Sequence, residues 1–369
     1  MFTKNLVLGG AAMLLAALGL PVQAQDDHDP MEPRWSFAIH GGAGTIKREN
    51  MNAEQEAEYL AALDQALEAG TDILKNGGSA MDAVVAAILL LEDDPKFNAG
   101  RGAVFTWEGE NELDAAIMDG RDRSAGAVTG VKSIKNPILL AREVMKDGRH
   151  VFLSGAGAEE FAGERGLETA SPDWFATEAR REALERLKAR QLSAIDVDHK
   201  FGTVGAVALD LEGNVAAGTS TGGLTGKRWG RIGDVPVLGA GTYADNRDCA
   251  VSATGQGEYF IRAAVGHSIC QTLKYRWRKM LDDAQASVPK DADGNPTFIV
   301  HASEMWLEEA DIQAAADAAM ADVKDLGGTG GVIVVSPFGP AVFSFNTAGM
   351  YRARATSAGV KEVAIYGSE

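Results

Sequence analysis

The sequence predicts an α+β fold, arranged as a four-layer αββα sandwich in which two sheets lie between layers of helices. Two observations support this prediction. Apolar, β-branched segments fall into two runs along the chain, and amphipathic helical segments lie on either side of them. Because a sheet buries its faces against other layers, two runs of strands flanked by helices favour such a stack. Of the 369 residues, 46% are hydrophobic, which is enough for a large core.

The first half of the chain predicts one buried strand covered by two helices. Residues 35–40 form a short apolar run that ends at the glycine-rich segment 41–44, as expected for a strand and a tight loop. Asn52 can cap a long helix, and Ser79 can cap a second helix that is apolar nearly all round. Further strands are predicted at 102–106, 112–118 and 126–130, and further helices from Pro137 and over 172–191.

The second half follows a polar stretch, 193–202, which has no periodicity and is predicted to be an exposed tether. Residues 203–209 and 215–221 are small and β-branched, and the turn-rich segment between them predicts a buried antiparallel hairpin. No proline- or serine-rich linker separates the two halves, so we expect one domain. Further strands are predicted at 249–253, 332–336 and 341–345, and helices over 258–273 and 304–324.

The N-terminus predicts export. Lys4 precedes an apolar run over 6–20, and the small residues before Gln25 match a signal peptidase site, so residues 1–24 are predicted to be removed. An uncleaved anchor is the alternative, disfavoured because the apolar core is shorter than the roughly 20 residues that span a bilayer. The mature chain is therefore expected to be periplasmic or secreted and not membrane-bound. A net charge of −17 argues against a nucleic-acid partner.

Cysteines, histidines and glycines exclude several other classes. Cys249 and Cys270 could pair in an oxidising compartment, but their spacing fits no disulfide framework, so buried thiols are predicted. The six histidines show no metal-ligand spacing. Residues 222–227 are one residue too short for a phosphate-binding Walker loop, and Arg228 stands where a magnesium-binding hydroxyl belongs.

Three segments place hydroxyl residues beside glycines, at 202–205, 219–223 and 254–257. A hydroxyl nucleophile needs a base, an oxyanion hole and room for a substrate, and such segments can supply them. Threonines in strands are by themselves more often structural. The surrounding sequence changes that balance.

These segments belong to a longer pattern. Residues 202–210 read GTVGAVALD and are followed by Asn214 and by TSTGG at 219–223. This pattern closely resembles the plant-type asparaginase/isoaspartyl peptidase family of N-terminal-nucleophile hydrolases. The resemblance covers nearly the whole chain after the export segment. It continues through HGGAG at 40–44, FNAG at 97–100, GRIGD at 230–234, GAGTYA at 239–244, TGQGE at 254–258, FNT at 345–347 and GMYR at 349–352.

The resemblance implies an inert precursor that cuts itself between Gly202 and Thr203. The Thr203 hydroxyl attacks the Gly202 carbonyl, an acyl shift gives an ester, and water breaks it into an α subunit, 25–202, and a β subunit, 203–369. The new α-amine, with a reference pKa of about 7.7–8.0, then serves as the base. The resemblance also implies that Thr221 orients the nucleophile, and that the Thr254 hydroxyl and the Gly255 N–H stabilise the oxyanion.

The substrates implied are L-asparagine and β-aspartyl (isoaspartyl) dipeptides, which yield aspartate plus ammonia or an amino acid. Arg231 would pair with the substrate α-carboxylate, and Asp234 and the backbone of Gly257 would bind the α-ammonium. The remaining residues of the implied binding set are Asn98, Ile232, Gly233, Thr254, Gly255 and Gln256.

No cofactor is expected for the chemistry. The resemblance does imply a structural sodium ion, held by backbone carbonyls of a loop that includes Leu91, Glu92, Asp94, Phe97, Ala99 and Arg101, and a homodimer of αβ units. The chain departs from the family pattern at Gln256, expected to face the leaving group, at the charged Arg101, and at Lys227-Arg228-Trp229. The leaving-group preference therefore stays open.

Two alternatives remain. A glycosylasparaginase shares the fold, but that subfamily usually has Asp before its nucleophile, where this chain has Gly202. An exported aspartate- or asparagine-binding protein could keep the fold without cutting itself. Retention of Thr203, Thr221 and Thr254 together disfavours the second alternative.

Overall fold

The computed structural model of this chain describes residues 34–190, 202–301 and 307–367. The predicted export segment and tether positions 193–201 lie outside the described residues. The strands are β1 (Ser36–Gly44), β2 (Leu113–Asp119), β3 (Ala125–Val131), β4 (Phe152–Ser154), β5 (Val204–Leu209), β6 (Val215–Thr221), β7 (Thr242–Asp245), β8 (Cys249–Gly255), β9 (Gly330–Ser336), β10 (Gly339–Phe345), β11 (Gly349–Thr356) and β12 (Lys361–Tyr366).

The helices begin after clear capping signals. Asn52 accepts a hydrogen bond from the Gln55 N–H in a capping box, and Ser79 caps the next helix. A 3₁₀ turn spans Arg48–Asn50. The α-helices are α1 (Ala53–Lys75), α2 (Ala80–Asp93), α3 (Pro137–Asp147), α4 (Gly155–Glu164), α5 (Pro172–Phe175), α6 (Glu178–Ala189), α7 (Gly257–Ala263), α8 (Val265–Ser287) and α9 (Glu309–Asp325).

The strands form an eight-stranded sheet in the order β12-β11-β1-β5-β6-β2-β3-β4 and a four-stranded sheet in the order β10-β9-β8-β7. Strands β1, β5 and β6 contact the four-stranded sheet. Helices α1, α2 and α3 pack on the larger sheet, and α8 and α9 pack on the smaller one. The fold is therefore α+β, with sheet flanked by helices, and its central strands are wholly buried.

Strand β1 is longer than the sequence predicted. The glycine run at 41–44 is part of the strand, paired with β11 across an irregularity between His40 and Gly42. A Cβ at Gly41 would lie 2.4 Å from the Phe97 ring, so glycine permits close packing at this point. The predicted loop was wrong because the partner strand, β11, was not anticipated.

Three other predicted elements differ. The segment 102–106 is not a strand and makes only an isolated bridge between Phe105 and Asn111. The helix predicted over 258–273 divides at Ala264, whose φ is 47°, and α8 then continues to Ser287. The helix predicted over 172–191 is divided into α5 and α6.

Cys249 and Cys270 form a disulfide between β8 and α8, which corrects the prediction of free thiols. Their Cα atoms lie 5.3 Å apart, within the range that a disulfide spans. The sequence could not reveal this proximity, because it depends on how α8 packs on the smaller sheet. Among the described residues, no helix is both long and apolar enough to cross a membrane.

Candidate active site

Thr203 lies immediately before β5 and is buried. Its Oγ1 is 2.9 Å from the Oγ1 of Thr221, the last residue of the paired strand β6. Thr221 Oγ1 also accepts a hydrogen bond from the Gly223 N–H at 3.0 Å. The pairing of β5 with β6 thus brings the predicted hydroxyls of Thr203 and Thr221 into contact. The Gly223 N–H, in the turn after β6, holds the Thr221 hydroxyl in place.

The carbonyl before Thr203 is held by Asn98. The Gly202 oxygen accepts the Asn98 N–H at 2.8 Å, and a Cβ at Gly202 would come within 2.8 Å of that nitrogen. The Asn98 side chain donates to the Gly223 carbonyl at 2.8 Å and accepts from the Val104 N–H at 2.9 Å. Asn98 therefore joins both segments around Thr203 and polarises the Gly202 carbonyl.

His40 holds the next carbonyl along the chain. Its Nδ1 lies 3.0 Å from the Thr203 oxygen, and because a carbonyl only accepts, Nδ1 carries the proton. Burial lowers the pKa of His40 to about 3, so the ring is neutral. Its Nε2 must then accept, and the Ser252 hydroxyl at 2.8 Å is the donor.

Two further hydroxyls extend this arrangement. Ser252 Oγ lies 2.7 Å from Thr219 Oγ1, which accepts from Thr242 Oγ1 at 2.7 Å. Since Ser252 donates to His40, Thr219 must donate to Ser252. We call His40, Ser252, Thr219 and Thr242 the hydroxyl relay; all four are fully buried and all bonds point toward Thr203. His40, Thr219 and Thr242 belong to motifs noted in the sequence and Ser252 does not, but none was given this role, because the relay joins four strands.

Thr254 and Gly255 end strand β8. The Thr254 Oγ1 is buried and has no hydrogen-bond partner among the described residues. A Cβ at Gly255 would lie 2.5 Å from the Thr329 carbonyl, so a side chain is excluded there. An unpaired buried hydroxyl is costly, and it is suited to donate to an oxygen that a ligand brings.

Arg231 is paired within the protein. Its guanidinium donates Nε and Nη2 to the two carboxylate oxygens of Glu258 at 2.9 and 3.0 Å. Nη1 lies near Gly223, since a Cβ at that glycine would be 3.5 Å from it. The bidentate contact with Glu258, which the sequence did not identify, leaves Nη1 directed at the loop after Thr221.

Asp234 is buried beside Gly257. A Cβ at Gly257 would lie 2.7 Å from both the Asp234 nitrogen and Oδ1, and Oδ2 has no hydrogen-bond partner among the described residues. Burial raises the pKa of Asp234 to about 7, while Arg231 opposes the shift. A buried carboxylate with an unpaired oxygen is stabilised by a cation, so the position suits a substrate ammonium.

Three other residues were predicted to bind the substrate: Ile232, Gly233 and Gln256. Ile232 is exposed, and a Cβ at Gly233 would lie 2.9 Å from Arg231 Nη1. The Gln256 side-chain oxygen accepts from the Thr329 N–H at 3.0 Å. That bond ties Gln256 to a neighbouring turn, whereas the sequence led us to expect it to face the leaving group.

The loop expected to wrap sodium has carbonyls that converge. The Pro95 and Phe97 oxygens would lie 2.4 and 2.7 Å from a Cβ at Gly102, and the Glu92 oxygen accepts the Arg101 N–H at 2.7 Å. The other predicted members of the loop are Leu91, Asp94 and Ala99. The Glu92 side chain is bound elsewhere, to the Ser220 hydroxyl and the Ile138 N–H. The loop thus brings backbone oxygens, and not the Glu92 side chain, close to Gly102.

Comparison with known proteins agrees with this geometry. The family model described as "Asparaginase" matches residues 33–299. The isoaspartyl peptidase of Escherichia coli K12 is 44% identical over 326 residues, covering 86% of this chain and 91% of that protein. The isoaspartyl peptidase of Salmonella typhimurium is 43% identical over 326 residues, with 86% and 94% covered. The human isoaspartyl peptidase/L-asparaginase is 48% identical over 226 residues, with 61% and 72% covered.

The family match and the curated relatives, together with the cluster of threonine hydroxyls, arginine and acid, place this chain among the hydrolases. More particularly, it belongs to the asparaginase family whose model it matches over most of its length.

Proposed function

We propose that the chain is a self-cleaving N-terminal threonine hydrolase that acts on L-asparagine and β-aspartyl dipeptides. The observation that carries the proposal is the contact of Thr203 Oγ1 with Thr221 Oγ1 at 2.9 Å. Thr203 directly follows Gly202, whose carbonyl accepts the Asn98 N–H. The names of the relatives support the substrate class.

Self-cleavage uses this arrangement first. Thr203 Oγ attacks the Gly202 carbon, whose oxygen is polarised by Asn98, and the Gly202–Thr203 amide bond breaks as the acyl group moves to Oγ. Water hydrolyses the ester and frees the Thr203 hydroxyl and α-amine. Thr221 orients Oγ, and His40 holds the Thr203 carbonyl in place during the reaction.

Hydrolysis of the substrate then uses the free amine as the base. It takes the Thr203 proton while Oγ attacks the side-chain carbonyl, and the proton passes to the departing ammonia or amino acid. The unpaired Thr254 hydroxyl and the Gly255 N–H stabilise the oxyanion. Arg231 Nη1 binds the α-carboxylate, and the unpaired Asp234 oxygen binds the α-ammonium, as each atom's position supports. Water then releases aspartate.

The test is the intact mass of the purified protein after incubation at neutral pH, beside Thr203→Ala and Thr203→Ser. Two wild-type chains, the smaller beginning at Thr203, a single Thr203→Ala chain and slow cleavage of Thr203→Ser are expected. Ammonia release from asparagine should appear only where cleavage has occurred. An unbroken wild-type chain that binds aspartate would refute the proposal in favour of a binding protein.

We also propose three properties of the whole molecule. The contacts of helices with both sheets support a four-layer αββα sandwich of the N-terminal-nucleophile hydrolase type. The buried disulfide, together with the N-terminal apolar run, supports export to the periplasm or medium, since such bonds are rare in the cytosol. The family resemblance supports a homodimer of αβ units, which light scattering would test.

A further inference from the structure

We propose that Asp114 accepts the proton of the nucleophile during self-cleavage, through the hydroxyl of Thr221. Before the cut, the Thr203 nitrogen belongs to an amide bond and cannot serve as the base that it becomes afterwards. His40, which contacts Thr203, already donates at Nδ1 and accepts at Nε2. The first step therefore needs another base. This inference rests on the proposed function and adds to it a residue for the activation step.

Strand pairing brings Asp114 beside the two threonines. In the larger sheet β6 lies between β5 and β2, and Asp114 on β2 is directly opposite Thr221 on β6. Opposite residues of an antiparallel pair point to the same face, with Cβ atoms about 4.5–5.5 Å apart. Thr203 contacts Thr221 from the other side, at 2.9 Å. Burial raises the pKa of Asp234 to about 7, and the charge of Asp114 adds to that rise, so the Asp114 carboxylate acts on the same site.

A β-bulge holds the Asp114 carboxylate by one oxygen only. The pairing of β2 with β3 shifts between Leu113 and Ala115, where Asp114 faces two residues, Thr129 and Gly130. Oδ1 accepts the Thr129 hydroxyl at 2.5 Å and the Gly130 N–H at 3.0 Å. Oδ2 is buried and has no hydrogen-bond partner among the described residues. Bulges often redirect a side chain beside an active site, and this one leaves a buried oxygen available.

Thr221 has one proton to pass on, and Asp114 lies where it can be taken. A hydroxyl donates one hydrogen bond and accepts two. Thr221 Oγ1 accepts the Gly223 N–H, and its remaining lone pair can accept the proton of Thr203. The Thr221 proton must then leave, and Asp114 Oδ2 is an unpaired acceptor on the neighbouring strand. Opposite side chains on paired strands are close enough for a direct hydrogen bond or one bridging water.

The proton transfers balance over the whole step. Thr203 Oγ gives its proton to Thr221 as it bonds to the Gly202 carbon, and Thr221 gives its own proton to Asp114 Oδ2. The amide bond between Gly202 and Thr203 then breaks. One proton returns from Asp114 through Thr221 to the Thr203 nitrogen, which leaves as the amine. Asp114 is again a carboxylate, and water hydrolyses the ester as described above.

The experiment times self-cleavage of newly synthesised precursor on a denaturing gel. Asp114→Asn keeps an oxygen for Thr129 and Gly130 but removes the base, so cleavage should slow by about 10²–10⁴-fold, the usual share of a general base. Asp114→Ala should be equally slow. Formate should restore its cleavage by about 10-fold or more, whereas formamide, which has the same size but is not a base, should not. A merely structural role would respond to both compounds alike.

Two control variants separate the base from its surroundings. Asp119→Asn is the matched control, because Asp119 is buried on the same strand but bound by Arg121, about 16 Å from Asp114 along β2. Its cleavage rate should equal that of wild type. Thr129→Val should cleave nearly as fast, because the Gly130 N–H still holds Oδ1. The urea midpoint of each variant, measured in a Thr203→Ala background, shows whether it folds.

Three results overturn the inference and leave the proposed function intact: wild-type cleavage in Asp114→Asn, equal rescue by formate and formamide, or an equal loss of cleavage in Thr129→Val. If neither Asp114 variant folds, wild-type cleavage in mixtures of H2O and D2O decides. Protons that move together from Thr203 and Thr221 give a curved dependence on the deuterium fraction, and a straight line overturns the inference. A wild-type precursor that stays uncut refutes the proposed function instead, and this inference with it.

Discussion

Ser252→Ala tests whether the hydroxyl relay positions the nucleophile. The substitution leaves His40 Nε2 without a donor and the Thr219 hydroxyl without its acceptor, in a region with no solvent access. Each unpaired buried group costs about 1–3 kcal/mol. Thr219 can turn to the Gly241 carbonyl at 3.3 Å and recover part of this loss. We therefore expect the free energy of unfolding to fall by about 2–4 kcal/mol.

The assay has two readouts. Urea unfolding is measured in a Thr203→Ala background, which keeps the chain uncut and the transition reversible, and self-cleavage is timed in the Thr203 background. Ser336→Ala is the control, because Ser336 is equally buried in the smaller sheet but lies outside the relay: its hydroxyl donates to the Asp248 carbonyl and accepts from the Phe338 N–H, both at 3.2 Å. Cleavage and kcat should fall about 10-fold in Ser252→Ala only, as for a slightly misplaced reacting group. An equal fall in cleavage rate in both variants, or lost stability with unchanged cleavage in Ser252→Ala, would refute the relay's role.

Three other substitutions or treatments test the site and the fold. Because the pKa of Asp234 is raised to about 7, acidification protonates its carboxylate and removes its attraction for an ammonium. The value of kcat/KM for asparagine should therefore fall below about pH 7. Asp234→Asn should lower kcat/KM and abolish that part of its pH dependence. Thr254→Val should lower kcat by about 10²–10³-fold with KM little changed, as measured by steady-state kinetics on asparagine. Replacing Cys249 and Cys270, 21 residues apart, by Ala should lower the free energy of unfolding by about 3 kcal/mol in the uncut background; an unchanged urea midpoint would contradict this.

Local patterns predicted most of the central strands and the capped helices. The hairpin of β5 and β6, and the caps at Asn52 and Ser79, depend on neighbouring residues and are confirmed. Elements that depend on distant partners were missed. Strand β11 pairs with β1 although more than 300 residues separate Ser36 from Thr356, and nothing in the sequence near β1 indicates that partner. The isolated apolar pattern also cannot distinguish a continuous helix from one divided at Ala264.

The site shows the same division. The threonines and Arg231 were recognised because they belong to contiguous motifs. Glu258, which pairs with Arg231, was quoted in a motif but received no role, and the relay of Ser252, Thr219 and Thr242 was not seen at all. These contacts join different strands, so their residue types become meaningful only when the sheets bring them together. A buried histidine whose Nδ1 faces a carbonyl is likewise a three-dimensional observation.

The order of strands in the larger sheet has a consequence for the cut protein. Strand β1, from before Gly202, lies between β11 and β5 from after it, and β6 from after it pairs with β2 from before it. The two subunits would therefore be woven together along three seams of backbone hydrogen bonds, while the disulfide lies within the second subunit alone. Separation of the subunits then requires loss of the sheet itself. Once denatured, the mature enzyme would have to reassemble from two molecules, so the covalent link serves the polypeptide once, during its first folding.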